Sequence, residues 1–350
     1  GFGYYIYNGK FFQVWGPAKN VNPDLMWEKG KNWNVGIDFS LLNNRIYGSL
    51  NYFNRKQQDL LGDYKVSVPP YLFDNTFVNV GTMKNYGFEF DLNFRPVTTK
   101  DFSYDFNLIG STMQNKFVSF SNSQFVGQDY YDEVGTSDPY PYYNLQRIEK
   151  GEPIGNFYMW RYAGHTEDGE WLVYDKSGDI IRASQATADD RVKVGNGLPK
   201  FTLSSSQNFR YRNFDLSLFF RGAFGYDIFN IHDFYYANRN FTGNRLQKAY
   251  GKNFKISGNA NPVVCDYFLE RGDYLKLDMI TLGYTLNLQK CRFIDRIRVY
   301  GTVKNVFTLT KFSGVDPSTY QVNGLTPSGQ GSRDYYPSTR QFIIGLNVDI

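Results

Sequence analysis

Apolar residues recur at every second position in a series of short stretches along this chain, and polar residues fill the positions between them. In 340–350, Phe342, Ile344, Leu346, Val348 and Ile350 share one face, while Gly345, Asn347 and Asp349 share the other. A period of two is the signature of a strand with only one face in an apolar medium. The same two-faced pattern runs from Val35 to Leu41. After a tight turn at Asn43 and Asn44 it resumes from Ile46 to Tyr52. It is clearest in 86–94, where Tyr86, Phe88, Phe90, Leu92 and Phe94 oppose Gly87, Glu89, Asp91 and Asn93. Stretches 102–108, 201–210, 214–221, 274–288 and 297–305 repeat it, so nine strands are predicted, with a partial one before Trp15.

The connections between the strands are as informative as the strands. Short ones at 43–44, 96–100, 211–213 and 289–295 alternate with long ones at about 55–84, 114–199, 224–273 and 307–339. Soluble domains seldom carry structureless loops beyond about 12–15 residues, and do not gather them all at one end. A transmembrane β-barrel does so routinely, with short periplasmic turns and long extracellular loops. Parity places Phe157–Ala163 and Glu170–Tyr174 in a hairpin inside the long loop, because one further crossing would put the short turns on opposite sides. The predicted fold is therefore all-β, an antiparallel transmembrane β-barrel whose final strand completes a closed wall without an edge. About ten strands are too few for the wide barrel that such loops decorate, so the rest of the wall is expected N-terminal to this chain.

Composition agrees with that picture. Aromatic residues make up 19% of 350 residues, with 29 Tyr and 31 Phe, while only 41% are hydrophobic and the mean hydropathy is −0.48. Such numbers fit strands that are apolar on one side, with aromatic girdles at both interfaces. No apolar run of about 18 residues exists, which excludes a helical membrane protein. The 38 basic and 34 acidic residues are interspersed, so there is no basic stripe for nucleic acid. The sequence opens without a signal peptide, in mid-pattern, as a segment of a longer chain would.

Candidate chemistry is sparse. His165 and His232 fall in different long loops, and no Ser/His/Asp or Cys/His set has local support, so the chain is not read as an enzyme. Cys265 and Cys291 are assigned to opposite sides of the membrane, which forbids a bridge between them. Calcium held by loop acids such as Asp189 and Asp190 is a lesser possibility, since the spacing of Asp175 and Asp179 is not that of an EF-hand. Arg271-Gly272-Asp273 has the form of an adhesive tripeptide, but it lies where a strand begins. The long loops concentrate aromatic residues: Tyr130, Tyr131, Tyr140, Tyr142, Tyr143, Trp160, Trp171, Tyr235 and Tyr236, with Asn144, Arg147 and Asn238 beside them. Two roles stand open for this set. The rings pack the loops on one another or on a partner protein, or some form platforms on which sugar rings or peptide side chains stack.

Several stretches carry a family resemblance. Asn22-Pro23-Asp24-Leu25-Met26-Trp27-Glu28 followed by Asn34–Phe39, then Asn79–Glu89, Asp189-Asp190-Arg191 to Phe201, Tyr274–Leu277, Thr281–Tyr284, Asn305–Thr308, Asp316-Pro317 and Pro337–Arg340, resemble the C-terminal half of SusC/RagA-like TonB-dependent outer-membrane transporters. The resemblance covers nearly all of 22–350, in order. It departs at the last residue, where an aromatic is usual and Ile350 keeps only the apolar face. It implies a plugged barrel in the outer membrane of a Gram-negative bacterium, whose plug and N-terminal strands precede this chain. It further implies that TonB engages the missing N-terminal region and that a SusD-like surface lipoprotein caps the loops. The cargo would be a nutrient oligomer, an oligosaccharide first and an oligopeptide second. The rival from another class is a surface-anchored, β-rich glycan-binding protein without a pore.

Overall fold

The computed structural model describes residues 2–121, 125, 129–136, 140, 143–251, 261–288, 293–318, 322–323, 326–327 and 336–350. Nine strands form one continuous antiparallel path in sequence order. They are β1 (Lys29–Leu41), β2 (Ile46–Lys65), β3 (Asn75–Thr98), β4 (Phe102–Thr112), β5 (Phe201–Tyr211), β6 (Phe214–Phe224), β7 (Tyr274–Asn287), β8 (Arg296–Thr310) and β9 (Gln341–Asp349). These are the nine predicted strands. A further short strand, Gln114–Ser119, continues past the end of β4 and pairs with the first half of β3.

Register keeps the two faces of this wall separate. Val35 faces Tyr52, Tyr52 faces Phe88, and Ile37, Leu50 and Phe90 line up across the same strands. On the far side, Leu216 faces Leu282, Tyr284 faces Val299, and Val299 faces Leu346. Between these rows the opposite face carries Asn51 against Glu89, Ser49 against Asp91 and Ser217 against Thr281. A one-residue slip anywhere would exchange the faces, so burial of one face fixes the pairing of all nine strands. Large apolar groups stay uncovered on the apolar side: Ile37, Phe88 and Ile344 are 66%, 61% and 87% exposed. Such a contiguous apolar surface needs an apolar environment. Aromatic pairs edge it on both sides. Trp33, Tyr52 and Phe88 stand toward the loops, and Phe94–Phe106 and Tyr104–Phe209 stack toward the short turns at 4.5 and 4.4 Å. The six steps from Phe88 to Phe94 span roughly 20 Å of strand, close to the about 25 Å of a lipid-facing band.

Turn chemistry sets the short end. Leu42, Asn43 and Asn44 all have positive φ (53°, 56° and 61°), a conformation that asparagine tolerates through its short polar side chain. At the other end one expectation fails. The connection expected at 55–84 is largely strand, since β2 runs to Lys65 and β3 begins at Asn75. Beyond the apolar band both faces of a hairpin meet polar surroundings, so the alternation fades while the ladder continues. Residues 20–28 brace this extension. Asn20 Nδ2 donates to the carbonyls of Phe73 (2.6 Å) and Asn75 (2.9 Å), and Asn79 exchanges hydrogen bonds with the backbone of Met26. The predicted partial strand before Trp15 is a two-stranded hairpin, Phe2–Tyr7 with Lys10–Trp15, turning at Asn8 and Gly9.

The long loops are themselves folded. Tyr130–Gly135, Asn144–Glu149, Asn156–Met159 and Val192–Asn196 make a four-stranded sheet, and Arg161–His165, Trp171–Tyr174 and Ile180–Arg182 a three-stranded one. The expected hairpin inside the loop is thus split at Trp160: Phe157–Met159 joins the first sheet, and only 161–165 pairs with 171–174.

Candidate functional site in the polar wall and the loop crown

The polar face of the wall is a connected hydrogen-bonding surface. Asp91 accepts from Asn107 Nδ2 at 2.6 Å and from Asn93 Nδ2 at 3.0 Å, and Ser217 Oγ donates to Asn208 Oδ1 at 2.7 Å. Arg298 forks onto Asp215 at 2.9 and 2.5 Å, while Arg95 lies 5.3 Å over the Tyr47 ring and pairs with Asp105 at 3.3 Å. Tyr47, Asn93, Arg95, Asp105, Asn208 and Asp215 line a recess of about 590 Å³. Asp215 is paired with Arg298 and Asp105 with Arg95, while Asp91 is held by amides alone, so the face presents amides, hydroxyls and ring faces together with residual charge.

At the loop end of this wall a buried ion pair fixes the segment between β8 and β9. Lys276, almost fully buried, donates to Asp316 Oδ2 at 3.3 Å. Asp316 also accepts from the Ser318 backbone N–H (2.8 Å), the Ser318 hydroxyl (2.7 Å) and the Ser338 hydroxyl (2.8 Å). Burial pushes the Asp316 carboxyl upward, but the Ser318 and Ser338 hydrogen bonds and the Lys276 charge outweigh it and hold it below the ordinary carboxylate value.

Above the wall, one aromatic core joins the two longest loops. Tyr140, Trp160, Trp171 and Tyr235 are buried together with Phe157, Phe229, Phe234 and Phe268. Tyr140 stacks on Tyr235 at 5.5 Å, and burial with the neighbouring Tyr235 pushes its phenol up to about 12. Tyr143 meets Trp160 edge-on at 5.8 Å, and Trp160 Nε1 donates to the Thr187 carbonyl at 2.8 Å. Trp171 packs against Tyr267 and Phe268. Asn144 contributes its carbonyl to the Arg191 guanidinium, and Asn238 is buried, accepting from the Asn240 backbone at 2.8 Å. Tyr236, half-buried, lies edge-on to Phe241 at 5.1 Å. In this arrangement the rings of Tyr140, Trp160, Trp171 and Tyr235 are covered by protein. Tyr130 and Tyr131 keep 49% and 42% of their surface open, and Tyr142 lies outside the described residues.

Arg147 is committed to the crown. Its guanidinium sits between the rings of Tyr130 (3.8 Å) and Tyr158 (4.0 Å) and forks onto Asp132 at 2.7 and 3.1 Å. Arg191, 5.7 Å from the Trp160 ring, has its pKa lowered by burial and by Arg147, against the attraction of Asp132. Asp132, Tyr158, Tyr162, Arg191 and Tyr267 were not singled out from the sequence as site residues. Only Arg191, inside the Asp189-Asp190-Arg191 run, carried a signal there.

The loop acids cap turns. Asp190 accepts from the Thr187 backbone (2.7 Å) and the Lys176 backbone (3.0 Å), and Asp175 from the Asp179 backbone (2.8 Å). Among the described residues no three His, Cys, Asp or Glu are grouped to hold a metal ion. His165 Nδ1 meets the Tyr162 hydroxyl at 2.6 Å inside the aromatic packing, where burial lowers its pKa. Cys265 is a free, buried thiol whose pKa burial raises, and Cys291 lies outside the described residues. Arg271 of the Arg-Gly-Asp run pairs with Asp227 and Asp273, both at 3.0 Å. No helix among the described residues is long and apolar enough to cross a membrane.

Comparison with known proteins places this wall and crown in a family. A family model described as TonB dependent receptor-like, beta-barrel matches residues 1–306. The chain is 28% identical to the TonB-dependent receptor SusC of Bacteroides thetaiotaomicron, over 94% of this chain and 33% of SusC. It is equally 28% identical to the TonB-dependent receptor P3 of Formosa agariphila, over 94% of this chain and 35% of that protein. The chain thus spans about a third of the length of these curated relatives. Its fold matches a chain of the RagAB peptide transporter with a TM-score of 0.77 at 23% identity, over 99% of this chain and 38% of that one. With the RagAB importer in its open-open state the TM-score is 0.77 at 22% identity, over 100% of this chain and 37% of that one. The segregated wall, the folded loops at one end and the matched family together give one conclusion: the chain belongs to the TonB-dependent receptor β-barrel family.

Proposed function

We propose that this chain is the C-terminal part of a plugged outer-membrane barrel that imports a nutrient oligomer with energy delivered through TonB. The observation that carries the reading is the register. It holds an exposed apolar band on one face and a polar wall on the other through nine strands. The first suits lipid and the second an aqueous path. In this reading the short turns face the periplasm, and the crown stands outside the cell, where a SusD-like surface lipoprotein seats on it. An oligosaccharide is the first choice of cargo because flat ring faces and amides suit sugars. An oligopeptide is second, and the likeness to a peptide transporter supports it. Of the loop aromatics singled out from the sequence, Tyr130 and Tyr131 are the described ones with the most open surface for cargo or partner. The test is uptake of labelled oligosaccharide and oligopeptide pools by cells expressing the full-length gene product, with and without TonB. TonB-dependent uptake of either pool supports the reading, and binding without uptake refutes it.

A further inference from the structure

The apolar face ends, on the side of the loops, in a row of lysines. Lys31 of β1, Lys56 of β2, Lys84 of β3 and Lys116 of the adjoining strand are direct cross-strand partners, each opposite the next. All four have the parity of the apolar face. Two residues further toward the short turns stand Trp33, Asn54, Tyr86 and Gln114, and two further again the aromatic edge of Tyr52 and Phe88. Lys31, Lys84 and Lys116 are exposed and Lys56 is half-buried. Their neighbours show that acids are within reach of this region. Lys29 pairs with Asp59 at 2.9 Å and Lys193 with Glu152 at 2.6 Å, yet none of the four row lysines has an ion-pair partner among the described residues.

Like charges set directly opposite one another on neighbouring strands destabilise a sheet. Four in succession, spread over roughly 14 Å at the usual strand spacing, call for an external anion. Lys116 also lines an open groove of about 1030 Å³, together with Lys193, Lys200 and Arg271. Asp227 is the one acid among its described lining residues, and it is taken up by Arg271 at 3.0 Å. The lining also includes Tyr86 and Phe201, which have the parity of the apolar face. Positive charge above an aromatic and aliphatic surface matches an anionic headgroup above acyl chains, and ammonium groups bind phosphate as point charges.

We infer that the Lys31–Lys56–Lys84–Lys116 row and the groove beside Lys116 hold the phosphorylated headgroup of an outer-leaflet glycolipid, its acyl chains lying along the face below. The inference rests on the barrel reading, in which this face meets lipid. A lysine at an anionic membrane surface strengthens binding about fivefold, so removing two charges weakens it roughly 30-fold.

The test uses the full-length protein carrying Lys56→Gln and Lys84→Gln, beside a charge-matched control carrying Lys150→Gln and Lys176→Gln in the loops. Membrane insertion is scored first, by heat-modifiable migration. If the parent protein does not insert, the barrel reading and this inference fall together. If all insert, native mass spectrometry measures retained glycolipid, and nanodiscs with phosphorylated or dephosphorylated glycolipid measure affinity. The expected result is a loss near 30-fold in the row variant alone, absent with the dephosphorylated lipid, and unaffected by inorganic phosphate. In lipid-free neutral detergent the row variant should melt no lower than the parent, because repulsion has been removed. Equal glycolipid retention by the row variant and the control overturns the inference. So does displacement by inorganic phosphate alone, which would make this a free-anion site. Loss of an associated surface lipoprotein with lipid retained also overturns it, and assigns the row to a protein partner.

Discussion

Arginine at Phe90 and arginine at Asp91 are adjacent changes on opposite faces of β3, and they separate a lipid-facing wall from any soluble sheet. Phe90 faces Leu50 and Gly110 across its two neighbours, its ring covers Gly110, and it lies 6.5 Å from the Phe201 ring. It sits two residues inside the Phe88 edge, so it is roughly 5 Å deep once strand tilt is allowed for. Arginine at the midplane of a barrel costs about 2–4 kcal/mol and near an interface about 0–1, so the charge at this depth costs about 1.5 kcal/mol. The lost ring contact adds about 1 kcal/mol. Arginine at Asp91 forfeits the hydrogen bonds from Asn107 and Asn93, but it faces a wet polar wall, where the net loss is about 1 kcal/mol or less. The two variants should differ by roughly 1.5–2 kcal/mol, about a 20-fold difference in folding equilibrium. Urea titration of the full-length protein refolded into lipid vesicles measures this directly. Coincident midpoints for Phe90→Arg and Asp91→Arg would refute the assignment of faces.

Trp160→Ala should loosen the crown and spare the wall. The buried ring and its bond to the Thr187 carbonyl are together worth about 3–5 kcal/mol, read as faster protease cleavage in 114–199 with barrel migration unchanged. Ligand affinity and partner retention, measured separately on Trp160→Ala and Tyr143→Ala, distinguish packing from substrate contact. Asp316→Asn leaves the buried Lys276 with Asp278 at 3.8 Å, and should cost about 2–3 kcal/mol at neutral pH. Because the Asp316 pKa is lowered on folding, its contribution is present above the ordinary carboxylate value. It is lost as pH falls through the lower, folded value. The parent and the variant should therefore converge in melting temperature only in strong acid. Cys265 should resist maleimide until the protein is unfolded, and non-reducing mass spectrometry should find no Cys265–Cys291 bridge.

The strand path was legible in the sequence because a two-sided environment writes a period of two. Ile37 and Asp38, or Phe90 and Asp91, declare their faces by type, and nine such segments fall in the order in which they pair. The tight turn at Asn43 and Asn44 was readable for a similar local reason, since few residues accept positive φ. Where both faces meet the same medium the pattern vanishes, so the continuation of β2 to Lys65 and of β3 back to Asn75 could not be read. The crown was legible only as a concentration of aromatics. Whether Tyr140 stacks on Tyr235 and where the loop hairpin divides at Trp160 depend on contacts between segments about a hundred residues apart, and whether Arg147 is spent between Tyr130 and Tyr158 depends on how three strands of the loop sheet pair. The lysine row is the sharpest case. Lys31, Lys56, Lys84 and Lys116 are unremarkable singly, and only cross-strand register, which the tertiary structure fixes, sets four like charges side by side.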